Sequence, residues 1–122
     1  LEVLGVLLWG AGLTLETIAD LQLHQFLSNP ANKGRVMDRG LWRYSRHPNY
    51  FGESMVWWGV FLIVLATPWG VWTIISPLVI TYTLLRITGV TLMEDTQFSD
   101  NPAYQEYVRR TSAFVPWFPK KD

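Results

Sequence analysis

The sequence predicts an all-α protein, a polytopic membrane bundle of about three transmembrane helices plus a short cytoplasmic C-terminal helix. Three observations carry this. Residues 54–85 contain no charged side chain, an uninterrupted run of 32. A second apolar stretch fills most of residues 1–27. Charged residues make up 16% of the chain while Trp occurs seven times; a soluble domain usually carries about a quarter charged residues, and Trp is favoured at membrane interfaces.

The first helix is expected over residues 1–27. It lacks a basic n-region and an obvious cleavage site, so a signal peptide is not expected. Glu16, Asp20 and His24 recur every four residues and share one helical face. That face is either an amphipathic end emerging into water or a polar stripe facing a cavity, because acids inside a membrane are costly and turn to the bundle interior. Ser28-Asn29-Pro30 marks the end. Gly5, Gly10 and Gly12 suit close helix packing. The chain of 122 residues fits one domain. Its opening at Leu1, without Met and inside an apolar stretch, reads as the C-terminal part of a longer enzyme whose upstream helices act as partners.

A run of 32 is too long for one crossing, which needs about 20 residues. Pro68-Trp69-Gly70 in its middle is a turn signal. Helices are therefore expected over residues 50–67 and 71–93, forming a hairpin with Trp69 and Trp72 at one interface. The connection over residues 28–49 carries Lys33, Arg35, Arg39, Arg43 and Arg46 against Asp38 alone. The tail, residues 94–122, carries Arg109, Arg110, Lys120 and Lys121. Three crossings put loop and tail on one side, and their positive charge makes that side cytoplasmic. The expected location is a bacterial inner membrane or endoplasmic reticulum, with membrane lipids as neighbours. Net charge is zero, which gives no reason to expect a nucleic-acid partner, and without cysteine there are no disulfides or thiolate metal sites. His24 and His47 alone are too few ligands to predict a metal.

The densest chemistry lies in Gly40-Leu41-Trp42-Arg43-Tyr44-Ser45-Arg46-His47-Pro48-Asn49-Tyr50-Phe51-Gly52-Glu53. Arg43 and Arg46 offer planar forks that match phosphate. His47 donates to phosphate or titrates near neutrality. Pro48 disfavours helix at His47 and suits the first turn of a helix, from which Asn49 can reach a ligand. The free N–H groups of such a helix start attract anions. Trp42, Tyr44 and Tyr50 provide surfaces for stacking on a ring. Glu53, an acid just inside a membrane helix, calls for a partner, with Arg46 and Arg86 as candidates. The plainer reading is a basic juxtamembrane loop touching anionic headgroups. A second polar group lies in the tail: Glu94, Asp95, Tyr104, Tyr107, Arg109 and Arg110. Pro102 suits a helix start, and a helix from there to about Thr111 is either an ordinary surface helix or one that closes over a cofactor. Residues 114–121 read as an interfacial anchor.

The long motif, together with Asn29-Pro30-Ala31-Asn32-Lys33-Gly34-Arg35 and the ending Tyr104-x-x-Tyr107-x-x-Arg110-Thr111-Ser112-x-Phe114-x-Pro116-Trp117, resembles the bacterial DUF1295 group, which is similar to the C-terminal domain of steroid 5-alpha-reductases. The resemblance covers nearly the whole chain. It implies a polytopic enzyme that holds NADPH in the cytoplasmic half of its C-terminal helices and passes hydride to the activated C=C bond of a lipophilic enone. It implies cofactor contacts at Asp20, Arg35, Asn49 and Trp57. Arg35 and Arg46 would hold phosphates beside Lys33. Asn49 and Tyr50 would line the pocket, with Glu53 orienting them. Tyr44, His47, Glu94, Tyr107 and Arg110 complete the candidate set. The groups that polarise the substrate carbonyl belong to earlier helices in the steroid reductases, so no catalytic residue is assigned here.

Two other classes compete. An Arg-His-Pro-x-Tyr turn before a helix, with a downstream acid such as Glu94, also resembles isoprenylcysteine and phospholipid methyltransferases that use S-adenosylmethionine. The third class is a non-enzymatic membrane scaffold that binds anionic lipid. Asn49-Tyr50-Phe51-Gly52-Glu53 and the Asn-Pro-Ala-Asn-Lys-Gly stretch favour the reductase.

Overall fold

The computed structural model describes residues 1–87 and 102–120, and within them every regular element is helical. Helix α1 spans Glu2–Ser28. Its stop follows from the sequence. Asn29 is extended, and Pro30 opens a separate 3-10 turn, Pro30–Asn32, whose Ala31 N–H is capped by the Asn29 side chain at 3.0 Å. The Asn32 amide reaches back to the Phe26 carbonyl at 2.9 Å, satisfying one of the acceptors that a helix end leaves open.

A second 3-10 turn, Gly40–Arg43, precedes helix α2 at Pro48–Val64. Pro48 sits where its missing N–H costs nothing, and His47 before it has φ −141° and ψ 59°, outside the helical region. Trp69 turns the chain with a φ of 67°, and the 3-10 turn Gly70–Ile74 leads into helix α3, Ile75–Tyr82. Residues Thr83–Ile87 continue as a π-helical turn. Helix α4 spans Pro102–Arg110.

The principal contact is α1 against α2, antiparallel and glycine-mediated. A Cβ on Gly12 would meet the Gly52 carbonyl oxygen at 2.5 Å, and one on Gly52 would meet the Gly12 oxygen at 2.6 Å. One repeat of seven residues away, Gly5 and Gly59 repeat the arrangement at 2.7 and 2.6 Å. Backbones this close need residues without side chains on both helices. Gly10 meets nothing within 4 Å, so it takes no part in this seam. Helix α3 joins α2 through a polar knot. The Thr81 hydroxyl lies 2.9 Å from Ser54 Oγ and accepts the Trp58 indole N–H at 3.1 Å.

Large apolar side chains face outward along α1 (Leu4, Leu7, Leu13, Leu21) and α3 (Ile75, Leu78, Val79), and apolar surface of this extent marks an interaction with lipid or with another protein. Of the three expected crossings, α1 is the one described helix long and apolar enough to span a membrane. The α2 helix has 17 residues, a rise of about 25 Å against a hydrocarbon core of about 30 Å. The apolar segment Gly70–Arg86 is also short.

Candidate functional site

The site is built where the chain enters α2. The Trp42 indole N–H donates to the Ala19 carbonyl oxygen of α1 at 3.0 Å, inside the protein. The Gln22 side chain accepts the Leu41 N–H at 3.0 Å. These bonds fix the Gly40–Arg43 turn onto α1. On the other side Tyr107 of α4 donates its hydroxyl to the carbonyl oxygens of Trp42 at 2.5 Å and Ser45 at 3.1 Å. Ser45 is fully buried; its hydroxyl donates to the Phe114 carbonyl at 2.7 Å and accepts the His47 N–H at 3.1 Å. The Arg46 N–H donates to the Ser112 carbonyl at 2.8 Å. The Arg46-His47-Pro48 approach to the helix is thus held in one conformation from both sides.

Beside it lies a hollow of about 620 Å³, within the range of small-molecule sites, roughly 300–1,000 Å³. Its apolar wall comes from Leu23, Phe26 and Leu27 of α1 and from Val36 and Met37. The polar wall comes from Lys33 and Arg35 on the loop and from Arg46, His47, Asn49 and Tyr50 at the start of α2. Tyr104 and Tyr107 of α4 close a third side. The buried His47 ring stacks on Tyr50, with centroids 5.5 Å apart and planes inclined by 8°. The Asn49 amide donates to Asp20 on α1 at 3.1 Å, and its oxygen accepts the Tyr50 N–H at 2.9 Å. Cations, hydrogen-bonding groups and stacked rings thus meet an apolar wall, which suits an anionic molecule with flat rings or an apolar portion.

The family model described as a protein of unknown function (DUF1295) matches residues 1–111. The chain belongs to the DUF1295 family. No curated protein and no solved structure matches it.

In this DUF1295 chain, seven of the sequence-derived candidates line the one hollow: Lys33, Arg35, Arg46, His47, Asn49, Tyr50 and Tyr107. Asp20 stands at its edge, bonded to Asn49. Four lie elsewhere. Tyr44 is partly exposed under the Arg43 guanidinium, 5.9 Å from its ring centroid. Trp57 is exposed, more than two turns into α2. Arg110 lines a separate hollow. Glu53 lies one turn beyond Asn49, and the expected ion pair with Arg46 or Arg86 does not form among the described residues. Glu94 lies outside the described residues.

The stripe of Glu16, Asp20 and His24 does not form a wall of the DUF1295 hollow. Asp20 and His24 are exposed, and the face of α1 that lines it carries Leu23, Phe26 and Leu27. Acids deep in a membrane turn inward, but Asp20 lies only about two turns from the end of α1 at Ser28. Sequence reasoning also missed Ser45 and Asn32 as framework residues. Asn32 had a signal, an amide shortly after a helix stop; Ser45 had none.

Proposed function

We propose that the hollow at the start of α2 binds NADPH, and that the chain carries the cofactor-binding part of a membrane enzyme that reduces an activated C=C bond in a steroid-like or other lipid enone. The observation that carries this reading is the convergence of Lys33, Arg35 and Arg46 with Asn49 and the stacked His47–Tyr50 pair around one cavity. The donor set fits a dinucleotide. Guanidinium forks match phosphate oxygens, and the rings offer stacking surfaces. When bound, the cofactor supplies a hydride.

The protein's residues would do the rest. Arg35, Arg46 and Lys33 would neutralise phosphate charge. Asp20 would hold the Asn49 amide in place. Tyr104 and Tyr107 would keep water from the ring-binding end, and the wall of Leu23, Phe26 and Leu27 would face the apolar part of cofactor or substrate. In this reading α2 and the segment containing α3 also lie in the membrane, and the basic loop and α4 face the cytoplasm. The uncharged hairpin tip and the cationic loop support that orientation.

The test titrates the full-length protein in detergent with NADPH and, separately, with S-adenosylmethionine. Saturable NADPH binding is expected, weakened about tenfold to a hundredfold in both Arg35→Ala and Arg46→Ala, since each removes a charge-assisted contact. Binding of S-adenosylmethionine alone would replace the reductase by a methyltransferase. Unchanged NADPH affinity in both variants would remove the site assignment.

A further inference from the structure

Tyr107 also lines a second hollow of about 240 Å³, together with Asp38, Arg43, Arg110, Thr111 and Pro119. Three segments meet there, and backbone bonds fix them. The Trp117 N–H donates to the Tyr44 carbonyl at 3.0 Å, and the Lys120 N–H donates to the Arg110 carbonyl at 2.8 Å. The tail is therefore strapped across the Gly40–Arg43 turn and the end of α4, and Pro119 forms one rim. Just before that rim, Trp117 and Phe118 project outward, 69% and 75% exposed, with their rings edge to face at 6.1 Å.

From this juxtaposition we infer that the Arg43–Arg110 hollow is a binding site for the phosphate of an anionic phospholipid headgroup, with Trp117 and Phe118 seated in the interface beside it. Arg43 and Arg110 both line the hollow, and the two non-bridging oxygens of a phosphate diester can accept hydrogen bonds from both. Arg43 and Asp38 form no ion pair among the described residues, so a ligand does not have to break one. Arg110 Nε lies 3.5 Å from Glu106, whose closer partner is Arg109, so Glu106 holds Arg110 only loosely. Exposed Trp and Phe next to cations are costly in water and favourable at headgroup depth. Asp38 limits the charge the hollow can take: it suits a single phosphate carrying hydroxyl donors over a multiply charged anion. The site is separate from the NADPH reading, because Arg43 and Arg110 do not line the larger cavity.

The experiment uses the full-length protein in a zwitterionic detergent and measures lipid retention by native mass spectrometry. The probes are dioleoyl phosphatidylglycerol, dioleoyl phosphatidylcholine and inorganic phosphate. Wild-type protein should retain phosphatidylglycerol in preference to phosphatidylcholine, and Arg43→Ala/Arg110→Ala should lose that preference by about tenfold or more. Asp38→Ala should move it in the opposite direction, which guards against a variant that merely folds poorly. Displacement of phosphatidylglycerol by millimolar inorganic phosphate, absent in the double variant, would support the phosphate site, whereas saturable phosphate binding with no preference for phosphatidylglycerol would overturn the lipid as its occupant. Equal retention of both lipids by the wild type, or retention unchanged in the double variant, would overturn the inference. So would a double variant that keeps its lipid preference but loses NADPH affinity, which would assign both arginines to the cofactor.

Discussion

The Tyr107 hydroxyl donates to the Trp42 carbonyl oxygen at 2.5 Å, and Trp42 donates its own indole N–H to the Ala19 carbonyl at 3.0 Å. Two residues thereby couple the C-terminal helix to the first one through the turn that precedes α2. The same Tyr107 lines both hollows. Its hydroxyl ties the residue shared by the two hollows to the turn before α2.

Tyr107→Phe keeps the ring and removes the donor. The buried carbonyls of Trp42 and Ser45 then lose a partner, at a cost of about 1–3 kcal/mol. Thermal unfolding in detergent should show a midpoint several degrees lower. Because α4 is also freed from the turn, affinity for the proposed cofactor should fall by a smaller factor than in Arg46→Ala. A midpoint within one degree of wild type would show that the hydroxyl contributes nothing to docking.

The glycine seam makes a sharper forecast. Gly12→Ala and Gly52→Ala each place a methyl within 2.6 Å of a carbonyl oxygen on the facing backbone. Neither oxygen is the end of a flexible side chain, so the helices must separate, and overpacking of this kind costs about 1–3 kcal/mol or more. Gly10→Ala, on the same helix, meets nothing within 4 Å and should be neutral or slightly stabilising, since Ala favours helix over Gly by about 1 kcal/mol. Fluorescence-detected gel filtration before and after heating would rank the three variants. Equal behaviour of Gly10→Ala and Gly12→Ala would mean the helices do not meet along this line.

Acid should loosen α4 in a defined way. Arg109 donates two hydrogen bonds to Glu106, at 3.0 and 2.5 Å. That bond, with the charges of Arg109 and Arg110, holds the Glu106 carboxyl below its usual range, against a smaller opposing effect of desolvation. A lowered folded-state value means the contribution is complete above the ordinary glutamate pKa of about 4.3. It is lost as pH falls through the lowered value. The pair is fully exposed, so the effect is confined to fraying of this one helix. Amide hydrogen exchange across α4 should therefore gain an acid-dependent component below about pH 4 that Glu106→Gln lacks. Identical exchange in both proteins would remove the pair from the account.

Much of this architecture could be read along the chain, because it depends on local chemistry. Asn29-Pro30 ends α1, Pro48 starts α2, Pro68-Trp69-Gly70 breaks the apolar run, and Pro102 starts α4. The third helix was harder. Apolar composition predicts an unbroken helix over residues 71–93, whereas its described part divides into a 3-10 turn, a short α-helix and a π turn. Apolar composition does not distinguish these hydrogen-bonding patterns. The candidate site was legible where cations and rings cluster near Pro48. The pairings Trp42–Ala19, Tyr107–Trp42 and Gly12–Gly52 were not, since each joins residues far apart in sequence and depends on which faces dock. Gly5 and Gly12 read as packing glycines, but their partners Gly59 and Gly52 emerge only once the two helices are docked. For the same reason the sequence alone groups Arg110 with the cofactor set, although it lines the separate hollow with Asp38 and Arg43.

The bond between Asn49 and Asp20 decides how Asn49 acts. Its amide donates to Asp20 at 3.1 Å while its oxygen receives the Tyr50 N–H at 2.9 Å, so much of its bonding capacity is already used within the protein. Asn49 should therefore act as a positioning residue that ties the start of α2 to α1. A double-mutant cycle separates this role from direct ligand contact. If the two residues act as one unit, Asp20→Ala, Asn49→Ala and the double variant should lower affinity for the proposed cofactor, NADPH, by similar factors, because the first substitution already removes the tie. Asn49→Asp, which sets a carboxylate against Asp20, should be worse than Asn49→Ala in both affinity and thermal midpoint. Additive losses in the double variant, with Asp20→Ala nearly silent, would instead make Asn49 a direct ligand of the cofactor and Asp20 a bystander.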